Sequence, residues 1–167
     1  FKRKIWEKFK AWKEESDGHT ALLVEGARRI GKSTAVEEFA KKEYETYILI
    51  DFAFASQNIK NLFNDLSDLD HFFRMLQYYT GKELIERKSL IIFDEVQLFP
   101  LARQAIKLLV KDHRYDYMET GSLLSIKENV KNILIPSEER TIQMHPTDYE
   151  EVCWAIGQTN SFEIGRT

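Results

Sequence analysis

A chain of 167 residues with 43% apolar and 31% charged content has the length and composition of one globular domain with a real hydrophobic core. Its formal net charge of −3, from 24 basic and 27 acidic residues, gives the surface as a whole no electrostatic signature of nucleic-acid binding and leaves only a local basic patch open. No apolar stretch approaches the ~20 residues that span a bilayer, and Phe1-Lys2-Arg3-Lys4 is followed by mixed charges rather than a signal-peptide core, so a cytoplasmic protein without membrane contact is expected.

In chain order, Ile5, Phe9 and Trp12 recur at helical spacing with lysines opposite, which predicts an amphipathic helix within residues 1–18 ending near Asp17-Gly18. Its lysines read as a solvated face. Ala21 to Glu25 is a short apolar run suited to a buried strand. Next comes Gly26-Ala27-Arg28-Arg29-Ile30-Gly31-Lys32-Ser33, which fills every fixed position of the phosphate-loop pattern G-x-x-x-x-G-K-[ST]. Helix-spaced apolar residues follow from Thr34 to about Lys42, so the loop joins a strand to a helix, as the pattern requires.

Each position of the loop answers a physical demand. A triphosphate needs several backbone N–H groups converging on it, so the chain must turn tightly with nothing bulky in the way, hence Gly26 and Gly31. The following helix aims its N–H groups and positive dipole end at the same anion. Lys32 is placed for the β- and γ-phosphates, the Ser33 hydroxyl for Mg²⁺, and Thr34 for a contact near the α-phosphate.

Farther along, residues 47–52 are rich in β-formers and predict a strand, and residues 57–69 turn polar and read as a loop with room for a short helix. Phe72, Phe73, Leu76, Tyr79 and Leu84 mark a helix broken near Gly81, its aromatics assigned to the core. Leu90 to Phe93 form a buried strand followed by Asp94-Glu95. Pro100 opens a helix whose Ala102, Ile106, Leu109 and Val110 share a face. Residues 115–119 lead as a strand into Thr120-Gly121-Ser122, residues 140–144 alternate like a final strand, and a helix is expected from Asp148 after Pro146. The lone Cys153 can form no internal disulfide and reads as a buried structural thiol. His19, His71, His113 and His145 have no metal-type spacing.

Strands alternating with helices predict an α/β domain, a three-layer αβα fold with a mainly parallel sheet, in which ligands sit at the carboxyl ends of strands. Three polar motifs fall at such ends. Besides the loop, Asp94 is placed to hold Mg²⁺ opposite Ser33, and Glu95 to polarise the water that attacks the γ-phosphate. Gln97 reads equally as a contact to water or phosphate and as a loop cap. Thr120 or Ser122 is placed to sense the γ-phosphate, or else to satisfy local backbone. Arg28, Arg29, Arg103 and Arg140 are the candidates to neutralise transition-state charge.

With these residues in place, the chain resembles the AAA-like ATPase domain of a large prokaryotic family of ATPases that carry a C-terminal domain of unknown function, often described as nuclease-like. The matching segments are Gly26 to Thr34, Ile92-Phe93-Asp94-Glu95-Val96-Gln97, Thr120 to Ser125, and Met144 to Glu151. The resemblance implies an additional-strand P-loop NTPase core over residues 19–157, with ATP and Mg²⁺ as ligands and Lys32, Ser33, Asp94 and Glu95 in their usual roles. Thr120 or Ser122 is then the sensor. It also implies a C-terminal half outside this chain, to which residues 158–167 begin a connection. The opening on Phe1 and the polar stop at Thr167 carry the same expectation of a longer protein. Such proteins often carry a Gly-Arg pair where this chain has Glu139-Arg140. ATP over GTP rests on this resemblance and on the absence of an Asn-Lys-x-Asp guanine-reading motif. The leading expectation is an Mg-ATP hydrolase moving an attached domain or partner, with oligomerisation and nucleic-acid contact left open. The alternatives are a slow-turnover nucleotide switch and, behind it, a small-molecule kinase.

Overall fold

The computed structural model describes residues 4–27, 31–122 and 138–145. Helix α1 (Lys4–Ser16) leads into β1 (Ala21–Gly26), then α2 (Lys32–Glu43), β2 (Thr46–Asp51), α3 (Gln57–Leu62), α4 (Leu69–Thr80), β3 (Ser89–Asp94), α5 (Pro100–Asp112), β4 (Asp116–Ser122) and β5 (Glu139–Gln143). A short 3-10 turn over Val96–Leu98 links β3 to α5.

The strands form one sheet in the order β2-β3-β4-β1-β5, and every pairing is parallel. Parallel strands need crossover helices on both faces, so the inner strands are buried twice over. All six residues of β3 and all seven of β4 are buried, whereas the edge strand β5 is largely exposed. Strand β4 lies between β1 and β3, which places the additional strand between the phosphate-loop strand and the acidic strand.

Alternating side chains feed two apolar layers. Leu22, Val24, Leu90, Ile92 and Met118 face α1 and α2, meeting Ile5, Phe9, Trp12, Val36 and Phe39. Leu23, Ile91, Phe93 and Tyr117 face the opposite way, toward Phe63 beside α3, Phe72, Phe73 and Leu76 of α4, and Ile106 and Leu109 of α5. Helix α1 is further tied down by its tryptophans, since Trp6 Nε1 donates to Ala35 O at 3.3 Å and Trp12 Nε1 to Thr20 O at 3.2 Å. The expected αβα layering is therefore the observed one.

Two expectations are corrected. The helix through Phe72 and Phe73 breaks at Gly81 as expected, stopping at Thr80 because Gly81 adopts φ 69 and its N–H donates to Gln77 O at 2.8 Å, but Leu84 is not part of it. Leu84 then packs from the following loop. Of the aromatics assigned to the core, Phe72 and Phe73 are buried, but Tyr79 is 37% exposed because it lies on the outer side of α4. The helix expected from Asp148, and Cys153, lie outside the described residues.

Candidate functional site

The carboxyl ends of the inner strands bring the motifs together. Gly26 ends β1 opposite Ser122 of β4, and Asp94 ends β3 opposite Asp51 of β2. Gly31 precedes α2 with φ 88 and ψ 24, a left-handed conformation in which a Cβ is strained, and its carbonyl accepts the first helical bond from Ala35 N at 2.9 Å. No acidic side chain lies in the first turn of α2, and no side chain caps it. Its leading N–H groups and positive dipole end are thus left for an anion. Arg28, Arg29 and Ile30 lie outside the described residues.

Lys32 is 3% exposed, and its ammonium donates to Ala27 O at 3.0 Å and Gly26 O at 3.4 Å. The side chain thus folds back along the loop it is expected to serve. Ser33 Oγ donates to Asp94 Oδ1 at 2.5 Å, across 61 residues of sequence. Thr120, fully buried in β4, donates to the same Asp94 Oδ1 at 2.5 Å and accepts from Glu95 N at 2.9 Å. One hydroxyl thereby fixes both acidic residues.

Burial, together with the neighbouring charges of Asp51 and Glu95, raises the Asp94 carboxyl above its usual range, although the bonds from Ser33 and Thr120 pull the other way. Asp51 is a participant that sequence reading missed; its place at the end of a β-rich run was the available signal. Glu95 has φ 58 and ψ 51, a conformation costing a residue with a Cβ on the order of 1 kcal/mol or more. Its carboxylate accepts from Gln97 Nε2 at 2.7 Å, a bond from Gln97 to the acid itself that the sequence did not suggest.

Two arginine candidates are placed away from this constellation. Arg103 is 4% exposed and forks Glu139 with Nε at 3.0 Å and Nη2 at 2.6 Å. Arg140 pairs with Glu15 at 3.2 Å from edge strand β5, where it lies opposite Leu22. Leu22 precedes the end of β1 by four residues, or roughly 13 Å of strand. Arg140 is therefore not brought to the loop, because its register and its pairing with α1 hold it nearer the amino-terminal ends. Ser122 is buried beside Gly26, while Thr34 is exposed on α2.

Ser33 Oγ and Asp94 Oδ1 are hard oxygen donors already side by side, the chemistry that suits Mg²⁺. Among the described residues no group of three or more His, Cys, Asp or Glu side chains could hold a metal ion, so a cation here would complete its shell from phosphate oxygens and water. No helix among them is long and apolar enough to cross a membrane.

A sequence profile described as an AAA domain matches residues 18–153. No curated protein matches the sequence significantly. Among solved structures, the Walker-type ATPase PABY2304 of Pyrococcus abyssi superposes with a TM-score of 0.52 at 17% identity, covering 95% of this chain and 58% of that one. The chain thus spans little more than half of that relative, and the likeness bears on the fold alone. The Thermotoga maritima RuvB Holliday junction branch migration motor superposes with a TM-score of 0.49 at 10% identity, covering 95% of this chain and 51% of that one. With the profile spanning most of the chain, and with a parallel five-stranded sheet carrying the phosphate loop and the acidic strand end, this chain belongs to the AAA domain family of P-loop ATPases.

Proposed function

We propose that the domain binds Mg-ATP at the loop from Gly26 to Thr34 and hydrolyses it to ADP and phosphate. The observation that carries this reading is the Ser33–Asp94 hydrogen bond at 2.5 Å, which joins the phosphate loop to the acidic end of β3 with Glu95 immediately beside it. Lys32 would leave its loop carbonyls for the β- and γ-phosphates. Ser33 and Asp94 would hold Mg²⁺, which when bound supplies charge neutralisation for the phosphates. Glu95, fixed at its N–H by Thr120, would orient the attacking water and accept its proton. Thr120 and Ser122 stand at the strand end where a γ-phosphate would be sensed. Because Arg103 and Arg140 are engaged elsewhere, the cation that stabilises the transition state would come from Arg28, Arg29 or a neighbouring chain. The cycle would move an attached domain or partner.

A slow-turnover switch is favoured by one feature: the Glu95 carboxylate is held by Gln97 at 2.7 Å and must be released before it can serve water. Multiple-turnover phosphate release on the full-length protein separates the two readings. Glu95→Gln is expected to slow release about 10²- to 10⁴-fold while ATP binding survives. Negligible release from the intact wild-type protein would leave the switch standing.

A further inference from the structure

A second set of buried charges lies on the face of the sheet that α5 covers. Glu119 of β4 is 0% exposed and sits between Leu23 of β1 and Phe93 of β3, and Glu139 of β5 lies on the same face, opposite Ala21. Arg103 of α5 reaches down and forks Glu139 through both carboxylate oxygens. Neither oxygen of Glu119 meets an N–H or O–H donor from another residue. Glu139, two strands over on the same face, is the acidic group that acts on it most strongly. Two carboxylates have no hydrogen to share, so the two can bond only when one of them carries a proton. Glu139 is the one neutralised by the arginine, which leaves the proton to Glu119.

We infer that Glu119 is kept as a neutral carboxylic acid whose O–H donates to Glu139, and that the chain Glu119–Glu139–Arg103 ties β4, β5 and α5 together as a set of positioning residues for Thr120. The charge count supports it. Two ionised glutamates against one guanidinium would leave a net negative charge in a buried, low-dielectric layer; one proton on Glu119 makes the Glu119–Glu139–Arg103 trio neutral, and the further negative charge of Glu25 only strengthens the need for it. Burial first, and the Glu139 charge and hydrogen bond next, push the Glu119 carboxyl well above the carboxylate range, while Arg103 opposes them. The charged groups facing the cluster are Arg103 from α5, Glu139 from β5 and Glu25 from β1, and β3 contributes the apolar Phe93.

The link to the candidate site follows from strand geometry. Adjacent residues of a strand face opposite ways, so Glu119 anchors β4 on the α5 side while Thr120 meets Asp94 and Glu95 on the α2 side. Helix α5 itself issues from the turn that Glu95 begins. The Arg103 fork therefore holds the far end of that turn, and Thr120 holds its start.

The first test uses nucleotide-free full-length protein and depends on no assumption about hydrolysis. Infrared difference spectra of wild type against Glu119→Gln at neutral pH should show a protonated-carboxyl carbonyl band lost in the variant, and its absence overturns the neutral acid. Denaturant unfolding from pH 5 to 9 checks the sign. A carboxyl raised in the folded state contributes stability that is lost as pH rises through its folded value. The folded-to-unfolded ratio of wild type should therefore fall relative to Glu119→Gln by up to about tenfold per pH unit, and parallel pH profiles would overturn it.

The positioning role rests on the proposed site assignment and is read by amide exchange at the Glu95 N–H. Exchange should quicken in Arg103→Met and recover in part with Arg103→Lys. If Arg103→Met does not fold, Arg103→Met combined with Glu139→Gln leaves no unpaired charge and serves instead. Unchanged exchange in the folded variant overturns the positioning role. Loss of ATP turnover alone in wild type would count against the ATPase reading without touching the spectroscopic result.

Discussion

The two ends of the sheet use the same kinds of polar residue to opposite effect. At the amino-terminal ends, Asp116 accepts from Tyr44 OH at 2.5 Å and from Arg87 Nη2 at 2.8 Å, while Arg87 Nη1 also donates to His113 O at 3.1 Å. Thr46 and Ser89 share a hydrogen bond, and Ser89 Oγ accepts from Ile85 N at 2.7 Å. Anion meets cation there, and the half-buried phenol of Tyr44 is pushed well above its ordinary range, first by desolvation and then by Asp116. At the carboxyl-terminal ends, Asp51, Asp94 and Glu95 crowd together and repel one another, and Glu95 holds a left-handed backbone. The base is organised for stability. The opposite end carries a strained backbone and three carboxylates held close together, the pattern that the proposed nucleotide site would require.

Substitutions at the two ends should therefore separate binding from stability. The largest effect is expected for Lys32→Ala, which removes charge-assisted hydrogen bonds of roughly 1.5–3 kcal/mol and should weaken ATP binding on the order of 100-fold by equilibrium titration. Unchanged affinity would remove the loop from the site assignment. At the base, Arg87→Met should cost about 2 kcal/mol in denaturant unfolding, because Asp116 is left buried without its cation, yet ATP affinity should stay the same. A parallel loss of affinity would show the two ends to be coupled.

Smaller again is Gly18→Ala, expected to cost about 1–2 kcal/mol: Gly18 has φ +82, and an added Cβ would stand 2.6 Å from Arg87 Nη2. A calorimetric melting point equal to that of wild type would contradict it. The smallest change should have the opposite sign. Asp94 is raised in the folded state, so its contribution to stability is present at low pH and lost as pH climbs from its ordinary value of 3.8 through the folded one. Asp94→Asn should then stabilise the nucleotide-free protein near neutral pH by about 1 kcal/mol, the scale of single stabilising substitutions, and flatten that decline. A loss of stability there would mean that Asp94 is not under electrostatic strain.

Much of the site was legible because local chemistry dictates it. Gly26, Gly31, Lys32 and Ser33 are constrained by phosphate geometry at fixed spacing, and Asp94-Glu95 announces itself after four apolar residues. Thr120 was recognisable only as a hydroxyl at a strand end. Its two hydrogen bonds, one donated to Asp94 and one accepted from Glu95 N–H, depend on β4 lying beside β3, a pairing that no local pattern encodes. Arg103 was misread as a candidate for transition-state charge because a sequence does not reveal whether an arginine is already paired. A sign was present nonetheless: Arg103 recurs at helical spacing with Ile106 and Val110 on the buried stripe of α5, and Glu119 interrupts a run of residues that are all buried.

By itself the sequence determined the αβα layering, the phosphate loop and the acidic strand end, since hydrophobic period and short-range steric demands act within a few residues. Only the tertiary structure decided the partners. The strand order β2-β3-β4-β1-β5 sets which side chains far apart in sequence face one another, placing Ser33 on Asp94 across 61 residues, Arg103 on Glu139 across 36 and Arg140 on Glu15 across 125. Pairing of buried charge is a property of the whole packed layer, where the low dielectric makes each unmatched group costly, and no local stretch of chain contains both partners.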